Sequence, residues 1–167
     1  MSTTATPAVP WWKGPHGEWY VLIQVALLTL VAAGPRTVPG VPAWPPATHW
    51  LSSIGGAVLM TAGWLFVVAG GTGLGRNLTP LPYPKEKGRL VDTGAYGLVR
   101  HPMYCGAIWI SVGLALWTQS TLTLGYAMLL VVFADIKAAR EERWLCAKFP
   151  EYPSYQKRVR KLIPFVY

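Results

Sequence analysis

Long apolar runs alternate with short polar stretches broken by proline and glycine, and that alternation predicts helices crossing a membrane. Trp19 to Ala33 is almost wholly apolar. With His16 and Gly17 it approaches the about 20 residues needed to cross a hydrocarbon core of roughly 30 Å. Gly34 to His49 holds prolines at 35, 39, 42, 45 and 46, too many for a helix, so it reads as a connector. Leu51 to Gly71 is a second span, and its glycines suit close approach of a neighbouring helix. Thr72 to His101 is a long polar loop that starts with Pro80, Pro82 and Pro84. Met103 to Thr118 and Thr121 to Ile136, joined only by Gln119 and Ser120, predict a helical hairpin. Each arm is short for a full crossing, which calls for tilt, local thinning or a re-entrant pair. The expected fold is all-α: a polytopic membrane protein of about four transmembrane helices, the last two a hairpin. It forms one integral-membrane domain over 1–167, with 1–15 a flexible tail that does not read as a cleaved signal peptide. Trp11, Trp12, Trp19 and Tyr20 read as an interfacial belt.

Composition strengthens the membrane reading. Hydrophobic residues make up 52% of the 167-residue chain and charged ones 13%, and nine tryptophans are present. That balance is wrong for a soluble domain of this size. Of 15 Lys and Arg, five fall between Arg76 and Arg100 and eight between Lys137 and Lys161. With four crossings, the positive-inside rule puts both basic blocks, both termini and the polar loop in the cytoplasm. The blocks flank apolar spans, so bilayer topology and anionic headgroups account for the high pI, and nucleic acid is not an expected partner. Cys105 and Cys146 are expected as free thiols, and no metal-ligand spacing occurs.

Candidate chemistry concentrates in Gly88 to Tyr104. Pro102 biases His101 away from helical backbone and suits the first turn of the helix that follows. Arg100, His101 and the unsatisfied N–H groups at that helix mouth make a site for a carboxylate or phosphate. Past Ile136 a helix leaves the membrane carrying Lys137, Arg140, Glu141, Glu142 and Arg143. Lys137 and Glu141 share a face, whereas Glu142 projects about 100° away. The two acids therefore have different surroundings, one facing a site and the other solvent, unless both belong to an ordinary salt-bridged helix end. The final segment, through Lys157, Arg158, Arg160 and Lys161, reads as amphipathic and basic, suited to an anionic leaflet.

Taken in order, Leu90-Val91-x-x-Gly94-x-Tyr96, Arg100-His101-Pro102-x-Tyr104-x-Gly106, Glu141-Glu142-x-x-Leu145 and Phe149-x-x-Tyr152-x-x-Tyr155 resemble the isoprenylcysteine carboxyl methyltransferase family, itself related to phospholipid methyltransferases. The resemblance implies an S-adenosylmethionine-dependent methyltransferase with a cytoplasmic cofactor site within 75–165. It places cofactor contacts on Gly88, Arg89, Leu90, Val91, Tyr96, His101, Pro102, Met103, Tyr104 and Glu141. His101 and the helix mouth then suit the cofactor's carboxylate, Glu141 its ammonium, and Leu90, Val91 and Tyr96 its adenine. Where the family has a substrate-binding arginine, this chain has Lys137, with Arg140 nearby. The implied acceptor is lipophilic: a prenylcysteine carboxylate, a phospholipid amine or another membrane-soluble acceptor. An amine must lose a proton, for which Glu142, Asp135 and His101 are candidates. Glu142, Arg140 and Lys137 are thus the expected catalytic side. No Rossmann-type glycine fingerprint is present. The ending Ile163 to Tyr167 also resembles membrane sterol reductases, which use a nicotinamide cofactor. A non-enzymatic membrane module is the third reading.

Overall fold

The computed structural model describes residues 16–85 and 87–167. The expected tail over 1–15, with Trp11 and Trp12 of the aromatic belt, lies outside the described residues. The helices are α1 (Glu18–Ala33), α2 (His49–Leu74), α3 (Ala95–Leu98), α4 (Pro102–Trp117), α5 (Thr121–Lys148) and α6 (Tyr152–Arg158). Among the described residues there is no strand, only an isolated parallel bridge between Val99 and Arg160. Two helical stretches, Pro46–Asn77 and Thr121–Lys148, are long and apolar enough to cross a bilayer. α1 and α4 are apolar but shorter, at 16 residues each. Leu22, Leu51, Leu65, Val68, Leu129 and Val132 are exposed along these helices. A soluble fold would bury so extended an apolar surface, and lipid covers it instead.

The hairpin forms as expected. Pro102 is the first residue of α4, and His101 before it is non-helical at φ −127°, ψ 67°. Between the arms, Gln119 turns the chain at φ +47°, and the Ser120 hydroxyl accepts from the Thr123 N–H at 3.0 Å, capping α5. α5 runs well past the apolar stretch because the Lys, Ala, Arg, Glu and Leu residues that follow Ile136 are all good helix formers. It ends at Lys148, just ahead of Pro150.

Glycine sets the distance between α2 and α4. Gly56, Gly63 and Gly70 stand at seven-residue intervals on α2 and are buried. A Cβ on Gly63 would sit 2.7 Å from the Gly106 carbonyl, and one on Gly106 would sit 2.4 Å from the Gly63 carbonyl. Gly56 and Gly113 meet in the same way one level further along. These contacts are backbone on backbone, so no rotamer change can make room for a side chain. The small residues therefore serve helix packing, as the sequence implies.

The two ends of the bundle differ in chemistry. At one end the connector after α1 meets the hairpin turn. There Ser120 Oγ donates to the Arg36 carbonyl at 2.6 Å, Trp44 Nε1 to Thr121 Oγ1 at 2.9 Å, and Gln119 Nε2 to Ser52 Oγ at 3.2 Å. At the other end both basic blocks come together: Arg100 N–H donates to the Arg160 carbonyl at 2.7 Å, Arg158 pairs with Asp92 at 3.3 Å, and Lys148 Nζ donates to the Lys85 carbonyl.

Candidate active site

At the basic end the chain has to accommodate several polar groups within a largely buried volume, and it does so by pairing them. Arg100 Nε donates to Glu142 Oε1 at 2.7 Å, and its Nη1 donates to the carbonyls of Gln156, at 3.1 Å, and Val159. The second carboxylate oxygen of Glu142 accepts from Gln156 Nε2 at 2.9 Å. Both side chains of the Arg100–Glu142 pair are only 11% exposed. His101 completes the cluster, its Nε2 lying 3.2 Å from Glu142 Oε1 and its Nδ1 3.8 Å from Glu141 Oε2. A guanidinium and a carboxylate taken out of water need such partners. α6 and the strand-like segment after it supply several of them, so the C-terminal segment clasps Arg100 and α5.

Arg100 therefore differs from its expected role. Its charge is neutralised by Glu142, and it ties the C-terminal segment down instead of standing free at the helix mouth to receive an anion. The two acids also differ from the one-in, one-out expectation, since both turn toward the cluster. Their surroundings are nonetheless distinct. Glu141 accepts from the Tyr104 hydroxyl at 2.9 Å, and its side chain stays 26% exposed. Asp135 is likewise engaged, by Lys161 Nζ and by the Tyr167 hydroxyl at 2.9 Å.

Of the predicted cofactor residues, Tyr96, Pro102 and Met103 meet the Gly70 end of α2. The His101 and Tyr104 rings stack 5.4 Å apart at 7°. Pro102 and Met103 press on Gly70, whose carbonyl accepts from the Tyr96 hydroxyl at 3.3 Å. Burial, with the Glu141 carboxylate second, raises the Tyr96 phenol well above its ordinary value, so it remains a donor. The Gly88 to Val91 arm is fixed to the end of α2, Asn77 Nδ2 donating to the Arg89 carbonyl at 2.9 Å.

Lys137 is 3% exposed and donates to Gln24 Oε1 of α1, with its ammonium 5.2 Å over the Tyr104 ring. A small void of about 10 Å³ opens beside it, between Gln24, Tyr104, Ala107, Leu130, Phe133 and Ala134. Arg140 stands apart from Lys137, stacked over Trp144 at 4.6 Å. Trp144 meets Tyr83, and the two rings border an open cleft of about 380 Å³ completed by Pro84, Ala147 and Lys148. Because 137, 141, 144 and 148 recur at helical spacing, one face of α5 connects the buried lysine, the partly exposed glutamate and this cleft.

Two participants escaped the sequence reading. Gln24 carried a signal, being a lone amide in the middle of an apolar span. Gln156 carried none, because an amide on an amphipathic helix is ordinary until its neighbour is known. Among the described residues no group of three or more His, Cys, Asp or Glu could hold a metal ion, and Cys105 and Cys146 are free.

The family described as phospholipid methyltransferase matches residues 51–151. The nickel-cobalt-cadmium resistance protein NccN of Alcaligenes xylosoxydans xylosoxydans is 33% identical over 153 residues, covering 89% of this chain and 63% of its own. Protein-S-isoprenylcysteine O-methyltransferase A of Arabidopsis thaliana is 31% identical over 123 residues, covering 71% and 62%. In fold, the chain is similar to the solved structure of the eukaryotic intramembrane Ras methyltransferase ICMT, with a TM-score of 0.65 and 25% identity over 90% of this chain and 54% of that one. The chain thus spans less than two thirds of the length of each of these relatives.

Proposed function

Since this chain belongs to the phospholipid methyltransferase family and to its isoprenylcysteine carboxyl methyltransferase relatives, we propose that it is an integral-membrane enzyme that methylates a lipophilic acceptor using S-adenosylmethionine. The observation that carries this reading is the continuous α5 face described above, on which Glu141, partly exposed and bonded to Tyr104, lies between a buried lysine and an open cleft.

The donor set fits the cofactor. Glu141 offers a carboxylate to an ammonium, and the first-turn N–H groups of α4 beside His101 offer donors to a carboxylate. Pro102, Met103, Tyr96 and the Gly88 to Val91 arm with Arg89 and Leu90 supply an apolar flank for a purine. When bound, S-adenosylmethionine supplies a methyl group on a sulfonium, whose displacement neutralises charge. The protein's task is then to position the acceptor and exclude water, and the apolar surroundings of Tyr104 and Lys137 serve both. Lys137, with Arg140 nearer the surface, holds an anionic part of the acceptor that arrives from within the bilayer beside the hairpin. A carboxylate acceptor arrives ionised. An amine acceptor gives up a proton, for which Glu142, Asp135 and the His101 imidazole are the candidate bases; both Glu142 oxygens and Oδ1 of Asp135 already accept hydrogen bonds.

The deciding experiment combines binding and turnover. Purified protein in detergent is titrated with S-adenosylhomocysteine and with NADPH, then assayed with a prenylated cysteine and with phosphatidylethanolamine vesicles. Binding of S-adenosylhomocysteine and methylation of a lipid acceptor are expected. Binding of NADPH alone supports a reductase, and binding of neither overturns an enzymatic reading.

We place four crossings in the bilayer with both termini and the cofactor site in the cytoplasm, supported by the convergence of both basic blocks at one end. Single cysteines at Lys85 and Lys157 are expected to resist an impermeant thiol reagent in intact cells, while one at Pro42 reacts. Labelling at all three sites rejects this orientation.

A further inference from the structure

Gln24 stands in α1 among residues that face lipid. Leu22, Ile23 and Val25 are exposed, whereas Gln24 turns toward α5 and bonds Lys137. The lysine is buried, and the acids around it are engaged elsewhere: Glu142 with Arg100, Asp135 with Lys161, and Glu141 with the Tyr104 hydroxyl. A buried cation without a counter-charge is costly, which favours an anion that binds beside it. The choice of partner sharpens the point. A glutamate at position 24 would neutralise the lysine, whereas glutamine satisfies one of its donors and leaves the positive charge in place. An ammonium has no acceptor, so the amide must present Oε1 to it, and the Nε2 donors point elsewhere. Among the described residues Nε2 makes no hydrogen bond. Lys137 and Gln24 thus form a pair with donors to spare beside the void of about 10 Å³, whose walls at Ala107, Leu130, Phe133 and Ala134 add no side-chain polar atom. That volume is close to what one water-sized group needs. Spare donors in an apolar frame, next to an uncompensated positive charge, suit an anionic oxygen.

We infer that Gln24 is an acceptor-recognition residue: its amide NH2 and the Lys137 ammonium together bind a two-oxygen anion on the lipophilic acceptor, the carboxylate of a prenylcysteine or the phosphodiester of a phospholipid. The inference rests on the methyltransferase reading and adds α1 to the acceptor site. An arginine offers parallel donors from one planar group, which a lysine alone cannot. Here the second donor comes from another helix, and the hydrogen bond between the two side chains holds the pair together.

Gln24→Glu separates this role from a structural one. It keeps an oxygen facing Lys137 and adds a charge that strengthens the contact, so a merely structural Gln24 predicts unchanged ligand binding. A recognition residue instead loses its donors and gains a charge that repels the acceptor. Wild type and variant in detergent are titrated with S-adenosylhomocysteine, with N-acetyl-S-farnesylcysteine and with a short-chain phosphatidylethanolamine, and their thermal unfolding is measured. The variant is expected to unfold at the wild-type midpoint or above and to keep its affinity for S-adenosylhomocysteine. Its affinity for one of the two anionic probes is expected to fall roughly tenfold or more, the range for a hydrogen bond to a charged group. The probe affected tells a carboxylate from a phosphodiester. Gln24→Met removes the donors without adding charge, is expected to lose about tenfold for the same probe, and decides the matter if the glutamate variant fails to fold. Wild-type affinity for both anions in a folded variant overturns the inference, as does a wild-type protein that binds neither anion. A wild-type protein that does not bind S-adenosylhomocysteine overturns the methyltransferase reading instead, since the anion titrations need no cofactor.

Discussion

Arg100→Ala is expected to lower folding stability by about 3–5 kcal/mol, because it leaves a buried carboxylate without its counter-charge. The guanidinium meets Glu142 and two backbone carbonyls, those of Gln156 and Val159. The Glu142 carboxylate does not reach water easily, since its side chain is 11% exposed. For a chain of this size each kcal/mol corresponds to about 2–4 °C in the unfolding midpoint, so a fall of roughly 6–20 °C is expected in detergent. Arg100→Lys should recover little, because a point charge on a flexible stem does not reproduce a planar fork serving three acceptors. Replacing both partners, as Arg100→Met with Glu142→Leu, should cost less than Arg100→Ala alone, since the unpaired charge disappears with its partner. A wild-type midpoint for Arg100→Ala would show that the C-terminal clasp holds without this residue.

The hydrophobic pattern carried most of this architecture because a bilayer leaves little choice: backbone groups at membrane depth must be satisfied within helices. Pro102 after His101 announced the start of α4, and the glycines of α2 announced a close helix neighbour. The polar cluster was less legible. Spacing along α5 gave Glu141 and Glu142 different surroundings, yet could not say that both would turn toward one cluster or that Arg100, 42 positions earlier, would take up Glu142. Such pairing depends on how the loop before α4 folds back against the segment after α6, which is recorded in the Val99–Arg160 bridge and in no local periodicity. The same limit applies to Gln24 and Lys137, which lie 113 positions apart. A lysine on a basic helix end reads as solvated until the opposite helix is in place.

His101→Ala and Glu141→Gln are each expected to weaken S-adenosylhomocysteine binding by about 1.5–3 kcal/mol, roughly 10- to 150-fold, the range for a charge-assisted hydrogen bond. Glu141 is the stronger case. Its Tyr104 contact survives in the glutamine, whose carbonyl still accepts the phenol, so the substitution removes charge and little else. The His101 variant also loses the contact with Glu142 at 3.2 Å, and its unfolding midpoint must be measured beside its affinity. Arg100 and Gln156 still hold Glu142 in that variant, so the fold is expected to persist. The two side chains approach to 3.8 Å, close enough for their effects to depend on each other. If His101 serves the cofactor's carboxylate and Glu141 its ammonium, the double variant should lose more than either single one, though less than the two losses added together. Affinities at the wild-type level in both folded single variants would remove this pair from the cofactor site.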